Sequence, residues 1–147
     1  MCFYLLFSWI AIGTGGSYQR KVAPELQYEQ SQVDAINEEK KAVCAASKIL
    51  DTDGKLIDFV EGQLNFYGFA HQIAWRTEVE SGLFDERKPI LFACGGAMLI
   101  DRQVFLEVGG FDEDYFMFFE DVDLGWRLWV LGYTVMFAPK AITYHRF

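Results

Sequence analysis

The segment between residues 120 and 138 constrains the fold of this chain more than any other. Its apolar residues recur at helical spacing, which predicts a helix over residues 120–131 and then a strand over residues 134–138. Gly132 is placed to end the helix in a left-handed turn. The apolar positions form two stripes, one of Val122, Trp126, Trp129, Val130 and Tyr133 and one of Leu124, Leu128 and Leu131. A helix that is apolar on nearly every side is normally buried between layers of structure.

Short apolar runs elsewhere predict the rest of an α/β fold, in which a mixed sheet carries the 120–131 helix on one face. The expected strands are residues 44–50, 56–59, 90–93, 98–100, 134–138 and 141–144. The run Asp51-Thr52-Asp53-Gly54 is predicted to be the hairpin turn between the first two strands. Asp101 is predicted to cap a short helix over residues 102–108. Residues 27–32 are expected to form a loop, and Ser31 is expected to cap a short helix through Val33, Ile36 and the charged run of residues 38–41.

Composition limits the classes of function that the chain can have. Its 147 residues are 52% hydrophobic and 17% aromatic, which is enough to bury a core and indicates one domain. The aromatic share also predicts apolar surface that a partner chain covers. A net charge of −8 argues against binding to nucleic acid or to an anionic membrane, since both require clustered lysine and arginine. Three cysteines without metal-ligand spacing favour a reduced, cytoplasmic setting.

Acidic and aromatic residues alternate just before the predicted helix. The six acids are Asp112, Glu113, Asp114, Glu120, Asp121 and Asp123, and the large apolar residues among them are Tyr115, Phe116, Met117, Phe118 and Phe119. Burying such apolar residues draws neighbouring carboxylates towards the interior, where they need a metal, a hydroxyl or a helix N-terminus as partner. Glu120 and Asp121 fall in the first turn of the helix, whose dipole is expected to hold a carboxylate ionised and fixed in direction. A general base or a metal ligand requires both properties.

The sequence GGAMLIDRQVFLEVGGFDEDYFMFFEDVDLGWRLWVLGYTVMFAPKAITYHR resembles the C-terminal half of family 2 glycosyltransferases. The likeness rests on the Gly95-Gly96 loop, on GGFDE, on FFEDVDLGWRL, on the Gly-Tyr turn and on the terminal Tyr-His. It spans roughly residues 44–146 and implies the GT-A fold of nucleotide-sugar transferases. The partners implied are a nucleotide-sugar donor and a glycan or other hydroxyl acceptor.

The resemblance also assigns roles to residues of this chain. It implies that Asp121 is the catalytic base of an inverting sugar transfer and that His145 ligates a divalent metal, Mg²⁺ or Mn²⁺. It places Gly95, Gly96 and Glu120 on the acceptor side. Asp123 is grouped with these residues as a substrate contact, and it is also spaced to pair with Arg127. The metal would neutralise the departing diphosphate.

The resemblance does not extend to the nucleotide-binding half of the family, which carries an Asp-x-Asp motif. Residues 1–42 are therefore expected to be a poorly matched N-terminal segment, and residues 43–147 the acceptor-side half of a transferase domain. A chain of this kind is expected to bind metal weakly and to transfer no sugar alone. Its apolar start, MCFYLLFSWIAI, is shorter than the ~20 residues needed to cross a bilayer. It is predicted to be a core strand or foreign sequence, with membrane docking as the third alternative.

Several alternatives stay open at this stage. The whole chain could instead be a non-catalytic module that binds a saccharide or a partner chain through the acidic-aromatic loop. His71 is expected to be a packed histidine, and Cys94 an inert buried thiol. Spacing alone favours equally a tight bend and a sugar contact at Gly95-Gly96, and the resemblance favours the contact. The expected location is the cytoplasm, with peripheral association at the inner face of the membrane as an extension.

Overall fold

The computed structural model describes residues 3–6, 25–80, 82–115 and 118–146. The elements in chain order are β1 (Phe3–Leu6), α1 (Glu25–Glu38), β2 (Ala42–Asp51), β3 (Ile57–Phe59), β4 (Gly62–Leu64), β5 (Ala70–Gln72), β6 (Lys88–Ile90), β7 (Met98–Asp101), α2 (Arg102–Glu107), α3 (Glu120–Val130) and β8 (Thr134–His145). None of the described helices is long and apolar enough to cross a bilayer.

The larger sheet has the strand order β1-β7-β2-β8-β6, and β3 pairs with the far end of β2. β2 and β8 run parallel, whereas the other pairs are antiparallel. The predicted mixed sheet is therefore confirmed. Nearly every residue of β2 is buried, as expected for a central strand covered on both faces. β1 and α1 both belong to this body, because β1 pairs with β7 and α1 packs on β2 and β8.

Helix α1 replaces the loop that was predicted over residues 27–32, so that prediction is wrong, whereas the helix predicted through Val33 and Ile36 is present as the second half of α1. Ser31 lies buried inside the helix and is not its cap. The buried Gln32 side chain donates from Nε2 to the Ser47 hydroxyl at 3.0 Å, and Ala35 and Ile36 pack against the sheet. These contacts form only when the sheet is present. The polar sequence of the first half of α1 gave no apolar periodicity from which to predict a helix there.

The β2–β3 turn forms as predicted. The Asp51 side chain accepts from the N–H groups of Lys55 at 2.7 Å and Leu56 at 3.0 Å, which fixes the turn. Asp101 caps α2 by accepting from the N–H groups of Gln103 and Val104. Both acids thus have structural roles.

Two expected boundaries differ from the structure. The strand predicted over residues 90–93 ends at Ile90, and Phe92 instead makes an isolated bridge with Gly62. The two strands predicted over residues 134–138 and 141–144 are one continuous strand, β8. Pro139 does not interrupt β8, which shifts its register against β2 near this position.

Helix α3 has the predicted position, and Gly132 follows it with a φ of 86°, in the left-handed region. Its predicted burial on nearly every side is wrong for the described residues. Only Leu124, Gly125 and Leu128 are buried in the helix. Trp126 is 53% exposed and Val130 is 68% exposed. Val122 and Tyr133 of the same stripe pack against the core, and Trp129 Nε1 donates to the Ile90 carbonyl oxygen at 3.0 Å, so only part of the stripe is uncovered.

Gly125 is the point of closest approach between α3 and the chain that follows β6. A side-chain Cβ at this position would lie 2.4 Å from Phe92 Cβ and 2.8 Å from the Leu91 carbonyl oxygen. Real Cβ atoms do not come this close to backbone atoms. The glycine therefore sets the distance at which α3 packs on residues 91–92, and with it the position of the first turn of the helix.

Candidate functional site

A cavity of about 430 Å³ opens where β3, the end of β8, the loop after β6 and the start of α3 meet. This volume is in the range of small-molecule sites, roughly 300–1,000 Å³. Most residues that the sequence assigned to a site contribute to its wall. They are Gly95, Gly96, Glu120, Asp121 and His145. Asp123 is absent from the lining.

A left-handed backbone just before α3 brings Glu120 and Asp121 to the cavity. Phe118 and Phe119 have φ angles of 68° and 69°, in the left-handed region that residues with a side chain rarely adopt. Each such residue costs about 1 kcal/mol or more, and strain of this kind concentrates at functional sites. Phe119 is the N-cap residue, but its side chain makes no cap hydrogen bond. Phe116 and Met117 lie outside the described residues.

The Asp121 carboxylate is held in one orientation by two backbone groups. Its Oδ2 accepts from the Gly95 N–H at 2.9 Å, and its Oδ1 accepts from the Val122 N–H at 2.8 Å. Burial raises the pKa of Asp121, and the neighbouring Glu120 charge raises it further, whereas the Gly95 N–H opposes the shift. The fixed direction of the Asp121 carboxylate was expected. The helix N-terminus was also expected to hold this carboxylate ionised, and burial acts against that effect.

Glu120 has an oxygen without a partner in this cavity. Its Oε2 is buried and makes no hydrogen bond to any described residue. Buried polar atoms are nearly always hydrogen-bonded, because an unmet acceptor costs about 1–3 kcal/mol. An acceptor oxygen beside the Asp121 carboxylate is suited to a ligand that carries hydroxyl groups.

The backbone conformation does not require glycine at positions 95 and 96. Neither has the positive φ that is found at Gly109, Gly110 or Gly132. A Cβ on Gly95 would lie at ordinary contact distance, 3.7 Å, from Asp121 Cβ. The two glycines nevertheless occupy a tight turn, in which the Ala97 N–H donates to the Cys94 carbonyl at 3.1 Å, so the bend is confirmed although its φ angles do not require glycine. The Gly95 N–H is already used by Asp121, so it orients the carboxylate.

His145 is paired with a residue that the sequence did not single out. Its Nδ1 lies 2.9 Å from Oδ2 of Asp58, a buried residue on β3 that also lines the cavity. A carboxylate on one ring nitrogen fixes the orientation and the tautomer of an imidazole. The available signal for Asp58 was an acid between Ile57 and Phe59 in an apolar strand, where a buried charge needs a partner.

The described residues do not make a metal site by themselves. They contain no group of three or more histidine, cysteine, aspartate or glutamate side chains placed to hold an ion. The sequence Asp51-Thr52-Asp53 has the letters of an Asp-x-Asp motif, but its Asp51 is committed to the β2–β3 turn. His145 remains as one imidazole whose Nδ1 is engaged by Asp58. A divalent cation would need further oxygen ligands from outside this set.

Asp123 has a structural partner. It pairs with Arg127 at 2.7 Å, as the spacing predicted. Arg127 also donates to the carbonyl oxygens of Val108 at 2.6 Å and Gly110 at 2.7 Å, and so ties the end of α2 to α3. The structure thus places Asp123 behind the site, where it supports the helix.

His71 and Cys94 also line the cavity. His71 is exposed on β5, so the expectation of a packed histidine is wrong. Burial, followed by the nearby Asp121 charge, raises the pKa of the Cys94 thiol to about 12. A thiol with this pKa stays protonated at neutral pH and is a poor nucleophile, as expected.

Comparison with known proteins gives three findings. The model of the glycosyl transferase family group 2 matches residues 65–147. Two curated relatives, from Mycobacterium tuberculosis strains CDC 1551 / Oshkosh and ATCC 25618 / H37Rv, are named N-acetylglucosaminyl-diphospho-decaprenol L-rhamnosyltransferase. Each is 40% identical over 72 residues, which cover 48% of this chain and 24% of the relative. The chain thus spans about a quarter of these relatives.

A solved structure supports the fold. The crystal structure of GalNAc-T7 with UDP, GalNAc and Mn²⁺ superposes with a TM-score of 0.58 at 16% identity. The superposition covers 82% of this chain and 25% of that one. At this identity the likeness concerns the fold alone, and it confirms the predicted GT-A architecture.

Proposed function

Because the chain belongs to glycosyl transferase family group 2, we propose that it forms the acceptor side of an inverting transferase that uses a nucleotide-sugar donor. The observation that carries this proposal is the Asp121 carboxylate. It lines a cavity, is oriented by the Gly95 N–H, and has a raised pKa beside the unpartnered Glu120 oxygen. This combination of position, direction and basicity is what a general base requires.

The chemistry follows from these contacts. An acceptor hydroxyl gives its proton to the Asp121 carboxylate while its oxygen attacks the anomeric carbon of the donor sugar. The bond between that carbon and the diphosphate oxygen breaks on the opposite face, so the configuration inverts. A carboxylate with a raised pKa has the higher proton affinity and is the stronger base. Glu120 Oε2 accepts from a second hydroxyl of the acceptor and so orients it.

We assign His145, with Asp58 on its Nδ1, to the donor end of the cavity. Asp58 is a positioning residue, because it acts by fixing the imidazole. A bound Mg²⁺ or Mn²⁺ would supply charge neutralisation for the diphosphate. Since the described residues lack a full ligand set, the remaining ligands would come from a nucleotide-binding half.

The acceptor class is inferred from the relatives. Their printed name describes transfer to a saccharide carried on decaprenyl diphosphate. We propose an acceptor of the same class for this chain, a saccharide linked to a lipid through a diphosphate. The opening of about 430 Å³ accommodates sugar units but not the lipid, which would lie outside it.

The experiment joins this chain to a nucleotide-binding half of a relative and measures transfer from nucleotide sugars to a lipid-linked saccharide. The expected product carries the inverted anomeric configuration, read from the proton coupling of the new glycosidic bond. The 147-residue chain alone is expected to transfer no sugar, because the resemblance does not extend to the nucleotide-binding half and Asp51-Thr52-Asp53 belongs to the β2–β3 turn. Turnover by the chain alone, or retention of configuration, would refute the proposal.

A second function is favoured by one observation. Phe118 and Phe119 are both exposed and both line the cavity, which makes an aromatic surface for stacking a sugar ring. A saccharide-binding module would use this surface without chemistry. Glycan binding that survives Asp121→Asn but is lost on Phe118→Ser, with no transfer by the joined protein, would support that alternative.

A substitution at Gly95 separates a role in substrate binding from a role in folding. Gly95→Ala is expected to leave the free energy of unfolding within about 1 kcal/mol, because the new methyl group meets only ordinary contacts. The methyl group lies beside Glu120 and Asp121, so the KM for the acceptor is expected to rise. Chemical denaturation and acceptor titration of the joined protein measure the two effects. A larger loss of stability with an unchanged KM would show that the glycine serves the fold.

A further inference from the structure

The hairpin formed by β4 and β5 ends in three exposed aromatic side chains. Phe66 is 98% exposed, Tyr67 81% and Phe69 70%. We call these three residues the aromatic tip. Nothing in the described chain packs over the tip beyond the edge-to-face contact between Phe66 and Tyr67. Isolated exposed aromatics are common on proteins, but three on one five-residue turn form a contiguous apolar surface.

The hairpin that carries the tip has no charged residue. Between Glu61 and Arg76 the sequence contains no aspartate, glutamate, lysine or arginine, although such residues make up 23% of the chain. This gap lies in a protein with a net charge of −8. A surface loop without charge in a strongly acidic protein is suited to a partner that offers no charge to pair with.

Four backbone N–H groups of the turn that carries the tip are bonded within that turn. Oδ1 of Asn65 accepts from the N–H groups of Tyr67 at 2.9 Å and Phe69 at 3.0 Å. The Gly68 N–H donates to the Asn65 carbonyl at 3.0 Å, and the Asn65 N–H donates to the Phe69 carbonyl at 3.0 Å. Groups that leave water without a partner are costly. A turn that meets these four donors internally can therefore enter an apolar medium at little cost.

These features of the tip favour a lipid surface over a protein as its partner. Phe and Tyr at a loop end are characteristic of membrane interfaces, where the rings enter the acyl boundary and the phenol hydroxyl stays in water. Protein interfaces surround their aromatic anchors with a polar rim that exchanges hydrogen bonds and charges. The tip offers no charged side chain, and four backbone N–H groups of its turn are already bonded within the turn. The acidic character of the chain further favours uncharged over anionic lipid.

We propose that the aromatic tip inserts into the interface of an uncharged lipid bilayer and holds the cavity at the level of the headgroups. Strand β5 connects the tip to the cavity. Its residues Ala70, His71 and Gln72 follow directly on Phe69 and line the cavity. Docking would place the opening where a lipid-linked saccharide is presented. The identity of that acceptor rests on the proposed function, whereas docking itself does not.

The test is flotation of the full chain with phosphatidylcholine vesicles in the absence of any substrate. The chain is expected to float with the vesicles, and Phe66→Ser/Tyr67→Ser/Phe69→Ser is expected to lower its partition coefficient at least about tenfold. The matched control is Trp126→Ser/Val130→Ser/Leu131→Ser, which removes three exposed apolar side chains from the region of α3 and leaves the tip intact. This control is expected to bind as the unchanged chain does.

A single substitution separates loss of membrane binding from loss of folding. Phe66→Lys changes a side chain that is almost fully exposed, so the unfolding temperature should not move, yet a charge at the tip should abolish flotation. The proposal would be overturned if the unchanged chain did not float, or if the tip and α3 variants lost vesicle binding equally. A protein partner would then be the remaining candidate for the tip. Sugar transfer by a chain that does not float would leave the proposed function standing and remove only the docking.

Discussion

Replacing Asp121 by asparagine is expected to lower the turnover number of the joined enzyme by about 10²–10⁴-fold, the usual contribution of a general base. The amide cannot take a proton from the acceptor hydroxyl. Its oxygen can still accept from the Gly95 N–H, which the carboxylate does at 2.9 Å, so the first turn of α3 keeps its place. The Val122 N–H loses its acceptor, which costs about 1 kcal/mol. Turnover under saturating donor and acceptor measures the effect.

The matched control for this substitution is Asp114→Asn. Asp114 belongs to the same acidic-aromatic stretch, but it is exposed and does not line the cavity. Turnover of the control is expected to match that of the unchanged enzyme. Equal turnover in the Asp121→Asn variant and the control would exclude Asp121 as the base.

Gly125→Ala is expected to destabilise the chain by about 2 kcal/mol or more. Alanine in place of glycine inside a helix normally stabilises it by about 0.8–1 kcal/mol. Here the added Cβ would lie 2.4 Å from Phe92 Cβ and 2.8 Å from the Leu91 carbonyl oxygen. Overpacking of this kind costs about 1–3 kcal/mol and more where backbone must move. Since Asp121 lies one turn before Gly125, its bond to the Gly95 N–H should lengthen as α3 shifts.

Chemical denaturation measures the loss of stability at Gly125, and Val130→Ala provides the control in the same helix. Val130 is exposed, so its truncation is expected to change the free energy of unfolding by about 0.5 kcal/mol or less. A Gly125→Ala variant as stable as the unchanged chain would contradict the close approach of α3 to residues 91–92.

Local signals in the sequence were enough to place α3 and its acids. Acidic residues in the first turn and Gly132 after the last define the two ends, and both signals act within a few residues. The Asp51–Gly54 turn and the Asp101 cap were predicted for the same reason. In each case the interaction that forms the structure joins residues close in sequence.

Features that depend on distant residues could not be predicted. Asp58 and His145 are separated by 87 residues, and only the pairing of β2 with both β3 and β8 brings them together. Helix α1 is joined to the sheet by Gln32, whose side chain donates to the Ser47 hydroxyl of β2. The rise in the pKa of Asp121 depends on burial, which the sequence does not give.

If Asp121 accepts the proton of the acceptor hydroxyl, its protonation state controls how turnover depends on pH. Turnover should fall as the pH is lowered through the pKa of Asp121, with a midpoint above the usual range of an aspartate, since burial is the main cause of the shift. Glu120→Gln removes the neighbouring charge, so the midpoint should move to lower pH while remaining raised. An acid limb at the same pH in both enzymes, or no acid limb, would contradict the assignment.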